Sequence, residues 1–491
     1  MITIENVSFH YGEAHDQCLH DVSLHIKSGE CVLLCGESGC GKTTLTRLVN
    51  GLIPHFYEGR FSGKVNVGGH DNTSTKPEVL AHIVGSVFQN PRSQFFNLDT
   101  TGEIAFGCEN LGLPSAVIRE RVNSTVQELG IIHLLERDIF ELSGGEKQKV
   151  AVASAYALNP DIFVFDEPSS NLDHAACLEL ATLIKSLKMQ GKTLIIAEHR
   201  LYYLTEVFDR VIYLKDGQIL HEWSRNEFLS FSDSKRESLG LRAICLDGLT
   251  PRNVLLSLPS KFSVSDMSAY YKRGKEVLKD VSFNTAPGEI VGIVGKNGQG
   301  KSTLARVICG LHKKSRSEVT LNGKSMKQNS RAGPCYLVMQ ESGYQLFTDS
   351  VDNELRLSKS KKERPSDEKV DGILSSLNLT ALRNRHPMSL SGGEKQRIAI
   401  ATAMVHDAQV LIFDEPTSGL DFANMCRVAA VLKKLSDSGK IIFVITHDFE
   451  LLACACTRIL MLEDSKIMSD SPLNAKTLKT IKEYFYEQKQ T

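Results

Sequence analysis

Two stretches, GESGCGKT at Gly36 to Thr43 and GKNGQGKS at Gly295 to Ser302, carry residue types suited to cradling phosphate. In the first, Gly36, Glu37, Ser38, Gly39, Cys40 and Gly41 lead into Lys42, Thr43 and Thr44. In the second, Gly295, Lys296, Asn297, Gly298, Gln299 and Gly300 lead into Lys301, Ser302 and Thr303. Both fit G-x-x-x-x-G-K-[ST] between an apolar run and a helix-forming stretch, the context a P-loop requires. Glycine permits the compact turn, so successive backbone N–H groups and the following helix start converge on phosphate oxygens. Lys42 and Lys301 are expected to reach the β and γ phosphates, with Thr43 and Ser302 offering hydroxyls to Mg²⁺. Thr44 and Thr303 extend the same nucleotide-binding run.

Other groups repeat in step with these loops. IFVFDE and VLIFDE end in Asp166-Glu167 and Asp414-Glu415. Such acids could simply pair with lysines or cap helices. Beside P-loops they divide the labour: the aspartate orients magnesium, and the glutamate polarises the attacking water. His199 and His447 each close a further apolar run, where an imidazole can contact the γ phosphate and hold that water. Gln89, in SVFQN, and Gln340, in LVMQE, are candidates to touch both metal and water. LSGGEKQ occurs at Leu142 to Gln148 and again at Leu390 to Gln396. Ser143 with Gly144 and Gly145, and Ser391 with Gly392 and Gly393, have the composition of an anion-binding helix start.

The elements that must position these groups also come in pairs. Lys301 lies 259 positions after Lys42, and Leu390, Asp414 and His447 each lie 248 after Leu142, Asp166 and His199. A period this long means duplication of a domain, and not a solenoid. Short apolar runs such as CVLLCG, TLIIAEH and IIFVITH read as strands buried on both faces. Helical patterns such as CLELATLIKSLKMQ separate them, which predicts a parallel sheet covered by helices. Ligands then bind beyond the carboxyl ends of the strands. The boundaries expected are 1–222 for the first domain, 223–261 for a serine-containing linker with some local helix, and 262–491 for the second. The charged stretch from Ser358 to Lys369 reads as a solvated loop with its flanks.

Length alone, 491 residues, suggests about three domains, and the repeat reduces this to two. Lysine plus arginine number 57 against 58 acids, so nothing advertises a polyanion-binding surface. MITIENVSFHYGE lacks the basic start and apolar core of a signal peptide. No run approaches the roughly 18 apolar residues of a membrane-spanning helix, so a soluble or peripheral chain is expected. Twelve cysteines, with no CxxC pair or zinc-finger spacing, read as buried thiols. His10, His15, His20 and His25 recur every five residues and with Cys18 invite a metal site, although that spacing shares no face of a helix or strand.

Taken together, the P-loops, the Asp-Glu strand ends and the LSGGEKQ words resemble the ATP-binding cassette family over nearly the whole chain. The resemblance implies an α/β fold of two tandem P-loop NTPase domains. Each would have a RecA-like core, an antiparallel β subdomain and an α-helical subdomain. It implies that the LSGG of one domain closes over the ATP held by the other. Lys42, Asp166 and Glu167 would then share one ATP with Ser391 and Gly393, and Lys301, Asp414 and Glu415 the other with Ser143 and Gly145. Tyr11 and Tyr271 stand where the family stacks an aromatic on adenine, with Tyr270 an alternative to the latter. SSNLD at Ser169 to Asp173 and TSGLD at Thr417 to Asp421 resemble the loop that couples the sites. With no essential group missing, both sites are expected to hydrolyse ATP.

VFQNPRSQFFNLDTTGEIAFGCENLGLP, GLIPHFYEG, AEHRLYYL and VMQESGYQLFTDSVDNEL further resemble the ATPases of energy-coupling factor transporters, which import vitamins and metal ions. This implies a transmembrane coupling subunit docking near the segments after Gln89 and Gln340, a small solute-binding membrane subunit, and a place on the cytoplasmic face of the membrane. Phe95, Phe96 and Phe347 are candidates for that contact, or core aromatics of the helical subdomain. Two alternatives remain: a soluble tandem-cassette translation or resistance factor, for which the linker is short and nearly charge-balanced, and a fused sugar-import ATPase.

Overall fold

The computed structural model describes residues 1–12, 18–251, 258–271, 276–357 and 364–486. The chain divides into two compact units, Met1–Cys245 and Leu246–Thr491. Each contains a six-stranded sheet, a four-stranded sheet and a set of helices.

In the first unit the six-stranded sheet runs, in spatial order, Val84–Val87, Ile162–Asp166, Thr193–Ala197, Cys31–Gly36, Arg210–Lys215 and Gln218–Ser224. All pairs are parallel except the last, a hairpin at the edge. Cys31–Gly36 is buried along its whole length, as expected of a central strand covered on both faces. One face packs against the helix Lys42–Val49 and the antiparallel sheet built on Ile2–Tyr11, Leu19–Ile26 and Gly59–Val67. The other face is covered by the helix His174–Met189, which supplies Cys177, Leu180, Ile184 and Leu187. A separate core of Ile104, Val122, Val126 and Val150 joins the helices Thr100–Asn110, Ser115–Glu128 and Gly144–Ala157.

The second unit repeats this plan. Its sheet order is Cys335–Val338, Val410–Asp414, Ile441–Ile445, Ile290–Val294, Arg458–Glu463 and Lys466–Pro472, again parallel up to an edge hairpin. None of the twelve cysteines forms a disulfide among the described residues, and burial pushes the thiols of Cys31, Cys35, Cys309 and Cys456 upward. No helix among the described residues is long and apolar enough to cross a membrane.

The stretch read as a linker from 223 onward is ordered differently. Trp223 to Cys245 lies within the first unit and contains the helices Arg225–Leu229 and Asp233–Ser238. Two of its serines cap these helices: Ser224 forms a capping box with Glu227, and Ser232 accepts a bond from the Lys235 N–H. Phe228 is buried against Phe208, Trp223 and Phe231. Residues 252–257 of the expected linker lie outside the described residues, as do 358–363 of the charged stretch. Its remaining part starts a helix, with Ser366 capping Asp367–Ser376.

One buried acid in each unit fixes the segment after the strand-end glutamine. Glu103 Oε2 accepts bonds from the Phe96 and Asn97 N–H groups at 2.9 and 2.8 Å. Glu354 Oε2 does the same for Phe347 and Thr348, both at 2.9 Å. Phe96 and Phe347, 73% and 76% exposed, are thereby held outward. Glu103→Ala strands two backbone donors, so it should lower unfolding stability by about 2 kcal/mol, read as a shift in urea midpoint.

Candidate functional site

Strand order gathers the site. The strand ending in Asp166 lies between the one leading to Gln89 and the one leading to His199, and the latter adjoins the P-loop strand. Each side chain therefore leaves the carboxyl end of its own strand a few ångströms from its neighbours. The second unit uses the same order.

Glycine is obligatory where the P-loop leaves its strand. Gly36 has φ 145°, and a Cβ there would stand 2.1 Å from the Leu214 carbonyl oxygen; Gly295 has φ 152° and 2.3 Å to that of Leu462. Gly41 and Gly300 then start the helices Lys42–Val49 and Lys301–Ile308 in left-handed conformations. Lys42 and Lys301 are 4% and 7% exposed. Lys42 Nζ donates to the carbonyls of Gly36 and Glu37 at 3.0 Å, and Lys301 Nζ to those of Gly295 and Lys296 at 2.6 and 2.8 Å. The ammonium group is thus held under the loop by the loop's own backbone.

Thr43 donates to Asp166 Oδ1 at 3.1 Å, and Ser302 bonds Asp414 in the same way. Burial, then the charge of neighbouring Glu167, pushes Asp166 up to about 7, against the Thr43 hydrogen bond. Burial also raises Asp414, opposed by Ser302, Lys301 and Arg306.

Glu167 and Glu415 adopt left-handed φ values of 46° and 49°, and their N–H groups donate to Ala197 and Ile445 carbonyls at 2.8 and 2.9 Å. A non-glycine residue in that region costs about 1–3 kcal/mol and persists where surrounding structure imposes it. Both strand-end glutamates make the same turn, so each carboxylate leaves its strand in the same way. His199 Nε2 lies 3.3 Å from Glu167 Oε1, and His447 Nε2 3.7 Å from Glu415 Oε1. The halves differ at the other carboxylate oxygen. Gln89 Nε2 donates to Glu167 Oε2 at 2.7 Å. Glu415 Oε2 instead accepts from Thr446 Oγ1 at 3.3 Å and the His447 N–H at 3.4 Å, while Gln340 is exposed just beyond Cys335–Val338. A cavity of 330 Å³ in the first unit is lined by Thr43, Asp166, Gln89, Arg47 and Tyr57.

Both tyrosines meet the P-loop helix alike. Tyr11 and Thr44 hydroxyls are 3.3 Å apart, and those of Tyr271 and Thr303 3.2 Å, so Tyr271 matches Tyr11 in place. Arg47 further donates to Tyr11 at 2.9 Å. In LSGGEKQ the serine has a local task that the sequence reading overlooked, although S-x-x-E spells it out: Ser143 with Glu146, and Ser391 with Glu394, form capping boxes. Asp173 and Asp421 likewise cap the helices after SSNLD and TSGLD.

Also overlooked was buried Glu198. It accepts from the Ser169 N–H, the His199 N–H and Tyr203 hydroxyl at 3.2, 2.7 and 2.7 Å, tying the histidine to the loop at Ser169. The second unit does this through Thr417, whose hydroxyl donates to Asp448 at 2.7 Å. Of the aromatics singled out, Phe95 packs on the helical core while Phe96 and Phe347 face outward. His15 lies outside the described residues, and no three His, Cys, Asp or Glu side chains among the described residues group to hold a metal ion.

A doubled P-loop ATPase fold with strand-end Asp-Glu pairs is what the geometry defines. The family model described as ABC transporter matches residues 19–170 and 278–418. The chain belongs to this family, as two tandem cassettes, and its activity is ATP hydrolysis. A Treponema denticola protein named as an ABC transporter ATP-binding protein is 48% identical, covering 96% of this chain and 97% of its own length. The HMP/thiamine import ATP-binding protein YkoD of Bacillus subtilis is 33% identical, with 96% and 91% covered. Archaeal ABCE1, in a model of its ribosome-bound complex with Pelota, shares the fold at TM-score 0.67 and 23% identity, with 97% of this chain and 80% of that chain covered.

Lys42→Ala and Lys301→Ala each remove the buried cation from one loop. Each should weaken fluorescent-ATP binding at its own site by about tenfold or more, leaving a second, tighter class of site in the titration.

Proposed function

We propose that the chain is the fused ATPase of an energy-coupling factor importer. It would work at the cytoplasmic face of the membrane with a transmembrane coupling subunit and a small solute-binding subunit. The observation that carries this reading is its full-length likeness to a protein named for HMP/thiamine import, 33% identical over 96% of the chain. The outward Phe96 and Phe347, each anchored by a buried glutamate after the strand-end glutamine, supply the matching contacts for the coupling subunit.

At each site the backbone N–H groups of the P-loop and the ammonium of Lys42 or Lys301 bind the phosphates. Tyr11 and Tyr271 receive the base. Glu167 and Glu415 accept a proton from the attacking water, oriented by His199 and His447. Magnesium fits the donor set, because a hydroxyl and a buried carboxylate meet at Thr43 and Asp166 and share one cavity with the Gln89 amide, all oxygen-bearing groups that suit a hard cation. Thr43, Asp166 and Gln89, and Ser302, Asp414 and Gln340, would hold it, and it would supply charge neutralisation to the phosphates. The Ser143 and Ser391 helix starts are assigned to the γ phosphate.

The test is affinity capture of the tagged chain, with Glu167 and Glu415 both changed to Gln, from gently solubilised cells. Co-purification of a polytopic membrane protein with a small hydrophobic one is the expected result. Recovery of ribosomes without a membrane protein would overturn the transporter reading.

A further inference from the structure

The helix Ala475–Tyr486 buries Leu478, Ile481 and Phe485 within the second unit. Its contacts reach the active site. Phe485 packs edge-on against the His447 imidazole, with ring centroids 6.2 Å apart and planes at 79°, and makes the same approach to Phe449. Phe449 is fixed in turn, because Asp448 caps its helix by accepting from the Glu450 and Leu451 N–H groups. One residue earlier, the Tyr484 hydroxyl donates to Glu463, and the Lys296 ammonium of the P-loop stands 5.8 Å from the Tyr484 ring centroid. Lys482 pairs with Asp247, so the helix is tied down along its length.

These contacts bear on the direction in which the imidazole points. His447 Nε2 faces Asn297 Oδ1 at 3.2 Å and Glu415 Oε1 at 3.7 Å, and its side chain is 6% exposed. Rotation about its Cβ–Cγ bond would turn Nε2 away from both. A perpendicular aromatic ring packed on the imidazole restricts that rotation, and edge-to-face pairs are attractive beyond the area they bury. The first unit also brings its final segment to the P-loop, but there Gly240 meets Glu37, where an added Cβ would lie 3.3 Å from the Glu37 side chain.

We propose that Phe485 is a positioning residue for the ATPase reaction, holding His447 toward Glu415, so that the helix Ala475–Tyr486 sets the turnover of the second site. This rests on the role given to His447 above.

The experiment uses the full chain carrying Phe485→Ala, Phe485→Tyr or His447→Ala, and reads kcat, fluorescent-ATP affinity and Tm for each. Phe485→Ala should lower kcat at least about twofold with ATP affinity within about twofold of the parent, and Phe485→Tyr should retain parental turnover. Where the alanine variant does not fold, Phe485→Leu takes its place with the same expectations. Unchanged kcat, or a fall in kcat matched by loss of ATP affinity and Tm, would overturn the proposal. His447→Ala separates the two ideas. Full turnover in that variant removes the role of His447 itself, whereas lost turnover there with parental kcat in Phe485→Ala removes only the bracing.

Discussion

Each site depends on keeping two adjacent carboxylates at the end of a buried strand without letting them share one position. Desolvation opposes the charge on Asp166, and Glu167 beside it adds repulsion. The left-handed turn at Glu167 is the structural answer. It sends the first carboxylate toward the P-loop hydroxyl and the second toward His199 and Gln89, so the pair faces two different sets of partners. Glu415 makes the same turn. Parallel strand order places the strands that end at these partners side by side.

The two halves reach this arrangement with different supporting groups. Around His199 the support is a buried carboxylate, Glu198, bridging the histidine backbone, Tyr203 and the loop at Ser169. Around His447 it is a threonine, Thr446, with Asp448 bonded to Thr417 and Phe485 packed on the ring. A hydrogen-bonded acid restrains the backbone, whereas an aromatic wall restrains the imidazole itself. The Asp-Glu pair and the histidine recur in both units, while the groups that support them differ.

That pattern explains what could be read from the sequence. The P-loops, Asp-Glu strand ends and histidines were readable because their chemistry restricts residue type and because each occurs twice in register. Central strands such as Cys31–Gly36 were equally readable from unbroken apolar runs. Supports were not: Glu198 and Asp448 do the same job at neighbouring positions with different atoms, so no repeat exposes them. Glu103 and Glu354 do repeat, but a lone glutamate at a helix start gives no sign of being buried until the fold places Phe96 and Phe347 N–H groups above it. Some local helix after Trp223 was expected, but its bounds were not legible, because capping serines and loop serines look alike in sequence.

The central claim is that both carboxylate pairs serve competent hydrolytic sites, and steady-state ATP turnover of Glu167→Gln and Glu415→Gln, made singly, tests it most directly. Each change keeps the side chain's size and removes its proton-accepting charge, so each should cut kcat by about half or more while nucleotide binding persists. Full turnover after either single change would contradict the account, because it would leave one of the two strand-end glutamates with no part in hydrolysis.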